Sequence, residues 1–106
     1  MKGISLLLFS VGIILVNTSS SLAAEVKLAW DRSLSANVTG YRIYYGTSSG
    51  NHPQCAEAGN STQHKLEGLD DGTTYYFDAR AYRGTCLCND PSCESSDSNE
   101  VSWKAQ

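Results

Sequence analysis

From Glu25 onward, apolar side chains recur at every second position within a series of short runs. Val26, Leu28 and Trp30 alternate with Lys27, Ala29 and Asp31, and Tyr41, Ile43 and Tyr45 alternate with Arg42 and Tyr44. Tyr75, Phe77, Ala79 and Ala81 alternate with Tyr76, Asp78, Arg80 and Tyr82, and Val101 and Trp103 alternate with Ser102 and Lys104. Successive side chains of a strand point to opposite faces, so each run has one dry face and one wet face. Gly40, Gly46–Asn51, Gly59-Asn60-Ser61 and Asp70-Asp71-Gly72 separate the runs with residues that favour turns. No helical periodicity follows residue 24. The pattern therefore predicts an all-β sandwich or barrel.

The start of the chain has a different character. Lys2 precedes an apolar run, Ile4–Val16, which is followed by the small and polar residues Asn17 to Ala24. The run is shorter than the roughly 20 residues that span a bilayer. Charge, apolar run and small residues in that order predict a secretory signal peptide over 1–24, cleaved after Ala23 or Ala24. The domain is then 25–106, with no membrane span after cleavage and a secreted or periplasmic location. No cysteine follows the apolar run to suggest lipid attachment. The chain carries 8 basic and 11 acidic residues, net −3, which argues against nucleic acid as a partner.

The runs resemble a fibronectin type III domain of the variety common in bacterial exported proteins. The resemblance lies in Val26–Asp31 (VKLAWD), Gly40–Gly46 (GYRIYYG), Leu66–Phe77 (LEGLDDGTTYYF), Ala79–Tyr82 (ARAY) and Ser98–Ser102 (SNEVS), in order along nearly the whole segment. It implies an immunoglobulin-like antiparallel sandwich of seven strands in two sheets. Trp30 then falls on strand B, Tyr41–Tyr45 on C, Gln63–Glu67 on E, Thr74–Arg83 on F and Glu100–Lys104 on G. Trp30, Tyr41, Leu69 and Tyr75 become structural residues, with the Tyr75 hydroxyl closing the E–F corner through a backbone bond upstream. Three departures stand out. Asp71 replaces the usual proline before Gly72, strand A is short or missing, and four cysteines are added. A sheet edge left open by the short start offers a place for another chain to add a strand.

Cys55 lies between C and E, and Cys86, Cys88 and Cys93 lie in the F–G loop. An even cysteine count in an exported chain reads as disulfides. Strands C and F are neighbours in this architecture, so a bridge from Cys55 to the loop is expected. The pairing Cys55–Cys86 with Cys88–Cys93 is the working expectation, although spacing alone leaves three pairings open. Cys86-Leu87-Cys88 is too tight for ordinary structural zinc spacing, which disfavours a metal site. The same dithiol lacks the helix N-terminus that activates thiols. No haem-attachment motif, nucleophile elbow or phosphate loop is present. No cofactor, metal or catalytic activity is therefore expected. His64 reads as an inward structural residue and His52 as solvated. Asn37-Val38-Thr39 and Asn60-Ser61-Thr62 match the N-glycosylation pattern and are expected bare in a bacterial host.

The outward face of C, F and G carries Arg42, Tyr44, Tyr76, Asp78, Arg80 and Tyr82. Tyrosine and arginine dominate interface hot spots, so Arg42, Tyr44, Tyr76, Arg80 and Tyr82 form the candidate binding face, beside a disulfide-tied F–G loop. The expected function is a non-catalytic binding module that contacts a protein or cell-surface polymer. The alternatives are a structural subunit of a surface assembly, or a small redox or metal-handling protein using the loop cysteines.

Overall fold

The computed structural model describes residues 12–13 and 23–106. The strands are β1 (Gly12–Ile13), β2 (Ala23–Ala29), β3 (Gly40–Gly46), β4 (Gln54–Gly59), β5 (Gln63–Asp70), β6 (Thr74–Tyr82) and β7 (Val101–Lys104). They form two antiparallel sheets, one in the order β1-β2-β5 and one in the order β4-β3-β6-β7. No helix occurs among the described residues.

The alternation read from the sequence positions the core. Val26 and Leu28 of β2, Leu66 and Leu69 of β5, Tyr41 and Ile43 of β3, and Phe77 of β6 all meet between the sheets. Leu66 and Leu69 are three residues apart yet both face inward. A bulge between the Leu66 and Leu69 pairings makes this possible, with Gly68 at φ 74°. A side chain at Gly68 would be strained by that backbone conformation.

Trp30, just past the end of β2, stacks obliquely on Tyr41 with 5.8 Å between ring centroids. The Tyr41 hydroxyl accepts a hydrogen bond from the Ser33 amide at 2.7 Å. The Tyr75 hydroxyl accepts one from the Asp70 amide at 2.8 Å, which closes the corner between β5 and β6. Leu69 is buried beside it.

The structure redraws two local expectations. Gln54–Gly59 is a strand, β4, at the edge of the larger sheet, where the sequence reading left an open segment containing Cys55. Its alanines Ala56 and Ala58 pack against the core while Cys55 and Glu57 sit on the other face. Gly40 begins β3 rather than making a turn. A Cβ there would meet the Tyr82 hydroxyl oxygen at 2.8 Å, so the position needs glycine because strand and tyrosine approach closely. Most of the expected leader lies outside the described residues. Within it, Gly12 and Ile13 pair with Ala29 and Leu28, while Ala23 and Ala24 belong to β2.

Candidate functional site

β7 is too short to pair with all of β6: its ladder ends at the Phe77–Val101 pair. Residues 83–100 must satisfy the rest of that edge, and two serines do so. Ser98 donates its amide to the Ala79 carbonyl, and its hydroxyl accepts from the Ala79 amide. Ser95 makes the same pair of bonds with Ala81. The chain thereby stays against β6 and folds across the outer face of the larger sheet.

That face poses an electrostatic problem which the loop solves. Arg42 and Arg80 are direct cross-strand partners, and like charges in that position repel. Glu94 is inserted between them, its side chain 1% exposed. One carboxylate oxygen accepts from Arg42 at 2.6 Å and the other from Arg80 at 2.9 Å. Tyr44 donates its hydroxyl proton to Glu94 at 2.6 Å and accepts from the Asn89 amide at 2.6 Å. Arg42 also donates to the Cys86 and Leu87 carbonyls and to Glu57. Arg80 also donates to Asp97 and Asn89. Each guanidinium lies over a tyrosine ring, Arg42 over Tyr82 at 3.9 Å and Arg80 over Tyr44 at 4.0 Å. Tyr82 completes the array by donating to Glu57.

These contacts move the ionisations in consistent directions. Burial would raise the Glu94 pKa, but hydrogen bonds from Tyr44, Arg42 and Arg80 outweigh it and hold the carboxyl below its ordinary range. Burial, reinforced by the hydrogen bond to Glu94, pushes the Tyr44 phenol up to about 12. Burial lowers the affinity of the Arg42 guanidinium for its proton, yet the bonds to Glu94 and Glu57 leave it raised. The network is thus a set of fixed charges, each matched by partners that favour its ionised or neutral form.

The expected open binding face is therefore closed. Arg42, Tyr44 and Tyr82 are buried and Arg80 is mostly covered, and Arg42, Tyr44 and Arg80 are bonded to the loop above them. Tyr76 is half-buried at the far end of the face, opposite Gly46 and Ser102, away from the Glu94 network. The surface available to a partner at this place is the outer side of the loop. Leu87 stands on it with 82% of its surface exposed.

Both bridges tie the loop, in a pairing that differs from the expected one. Cys55 is joined to Cys88, and Cys86 to Cys93. The reason lies in what the sheet face grips. Tyr44 is the cross-strand partner of Cys55 and holds the amide of Asn89, which brings the adjacent Cys88 over Cys55. Arg42 meanwhile holds the Cys86 carbonyl, and a turn from Asp90 returns Cys93 to Cys86. Cys86, Asp90 and Cys93 cluster closely enough to suggest metal ligands, but these two sulfurs are bonded to each other and offer no thiolate.

His52 also departs from expectation, being only 10% exposed in its side chain. Its Nδ1 lies 2.9 Å from Asp78 and its Nε2 lies 2.7 Å from Glu100. Glu100 further accepts from the Ser49 hydroxyl and the Gly50 amide. The turn after β3 is thus fastened to β6 and to the start of β7. His64 is half-buried on β5, and desolvation lowers its pKa. Asp78 is buried with one carboxylate oxygen unpartnered among the described residues. Burial, reinforced by nearby Asp97, raises its pKa from 3.8 to about 7.

A carboxyl whose pKa is raised on folding costs stability as pH climbs from its unfolded value to its folded one. Asp78→Asn should therefore stabilise the protein at pH 8 by about 1 kcal/mol or more, and have little effect at pH 4. The asparagine amide, which can donate or accept, still offers His52 Nδ1 a hydrogen-bond partner. Melting temperatures of both proteins at the two pH values check this, and a variant less stable at pH 8 contradicts it.

Comparison with known proteins bears on the same fold. The family model described as the fibronectin type III domain matches residues 15–92. A solved structure titled "Myokine structure" superposes with a TM-score of 0.58 at 19% identity, covering 88% of this chain and 94% of the other. The third fibronectin III domain of the human KIAA0343 protein superposes with a TM-score of 0.53 at 24% identity, covering 89% of this chain and 78% of the other. No curated protein matches the sequence.

Proposed function

The chain belongs to the fibronectin type III family, and on that premise we propose that it is an exported, non-catalytic interaction module that docks a protein or cell-surface polymer through its β6–β7 loop. Domains of this family generally act in interactions rather than catalysis. The single observation that carries the reading is the bracing of the loop: two disulfides and a buried Glu94 tie residues 84–98 to the sheet, with Leu87 exposed at the surface. A loop that is ordered before contact lowers the entropic cost of docking. Two disulfides suit a secreted or periplasmic location. The arginines and tyrosines under the loop support the docking surface rather than touch the partner.

Leu87→Asp tests the proposal. The side chain is exposed, so folding stability should change by less than about 0.5 kcal/mol. Cross-linking of the exported protein to neighbouring surface components, followed by mass spectrometry, should give a partner whose yield falls at least about tenfold with Leu87→Asp. Equal yields from both proteins would place the contact elsewhere.

A further inference from the structure

We infer that the exported domain forms a two-fold dimer by pairing the outer edge of β2 with the same edge of a second copy. The inference rests on the exported reading, because it requires removal of residues 1–24. Along one side β2 is bonded to β5; on the other, only Gly12 and Ile13 lie beside it among the described residues, against Ala29 and Leu28. Removal of the leader takes β1 with it and bares the backbone donors and acceptors of that edge. An exposed strand edge is a template for another strand.

The sequence of the edge is complementary to itself. Val26 and Leu28 point into the core, as does Ala24, while Glu25 and Lys27 point outward. Antiparallel pairing centred on Val26 sets Glu25 of each copy opposite Lys27 of the other, twice. Centring on Lys27 or on Glu25 would oppose like charges, and a shift by one residue would turn core side chains outward. The register centred on Val26 is therefore the one that pairs Glu25 with Lys27. Within the domain, Lys27 faces Lys65 across the ladder, and Lys65 is already engaged with Glu67 at 3.3 Å. Among the described residues neither Glu25 nor Lys27 has an ion-pair partner. An acid supplied by a second copy relieves that repulsion.

The test uses the full-length chain expressed in an exporting host, with its N-terminus read by intact mass and its assembly by sedimentation equilibrium. The expected result is cleavage at residue 23 or 24 and a concentration-dependent dimer. Lys27→Glu alone and Glu25→Lys alone should each weaken the dimer about tenfold or more, and the double reversal should restore it. A strictly monomeric exported protein, a retained leader, or a dimer indifferent to both reversals would overturn the inference. Leu87→Asp should leave the dimer intact, so failure of loop docking and failure of edge pairing are separable.

Discussion

Replacing Glu94 with alanine is expected to destabilise the protein by about 3–5 kcal/mol, the range found when one partner of a buried ion pair is removed. The size follows from what remains. Arg42 and Arg80 would face each other across the ladder without the carboxylate between them, and Tyr44 would lose its acceptor. Glu94→Gln should cost less, since the amide oxygen still accepts one of these bonds.

The pH dependence separates charge from shape. The Glu94 pKa is held below 4.5 in the folded protein. Its stabilising contribution is therefore complete above 4.5 and fades only as pH falls through the lowered folded value. Urea denaturation should show a constant gap between wild type and Glu94→Gln from pH 8 to pH 5. The gap should narrow at more acid pH. A Glu94→Ala variant as stable as wild type would show that the loop is not fastened by this carboxylate.

The second large effect concerns the bridge between the sheet and the loop. Cys55 and Cys88 are 33 residues apart, and Cys86 and Cys93 only 7. In the chain-entropy account the longer closed loop contributes about 3–4 kcal/mol and the shorter one about 2–3 kcal/mol. Replacing Cys55 and Cys88 together by alanine should therefore lower the urea midpoint more than replacing Cys86 and Cys93 together. Each double variant should retain one intact bridge and no free thiol. If the Cys55/Cys88 variant instead shows free thiols, the pairing is wrong.

The fold was readable because a two-sheet sandwich writes its core into alternate residues. Val26 and Leu28, Tyr41 and Ile43, and Tyr75 and Phe77 each announce one inward face. β4 escaped notice because Gln54–Gly59 contains no β-branched or aromatic residue. It is a strand because β3 offers an open edge, not because its own sequence favours one. The cover over the outer face is hidden in the sequence for a related reason. Alternation reports which side chains leave the core, not what covers them afterwards. The cover is a loop whose path depends on the short β7, on Ser95 and Ser98, and on Glu94.

A signal for the covered face was present. Two arginines on one outer face, directly opposite in register, need an acid from elsewhere in the chain. Asp90, Glu94 and Asp97 sit in the same loop as three cysteines. Which acid enters, and which cysteine arrives above Cys55, depends on three-dimensional grips such as Tyr44 on the Asn89 amide. Sequence spacing does not carry that information. His52 was misjudged in the same way, since Asp78 and Glu100 reach it from two distant segments.

Amide hydrogen exchange in the β6–β7 loop tests most directly that a braced lid, rather than a mobile loop, crowns this sandwich. The amides of Asn89, Ser95 and Ser98 donate to Tyr44, Ala81 and Ala79 respectively. Their exchange in the oxidised protein is expected to be slowed to rates approaching those of core strand β3, and to accelerate by orders of magnitude in Glu94→Ala. Exchange of these three amides at the rate of an unstructured peptide, in oxidised wild-type protein, would contradict the account.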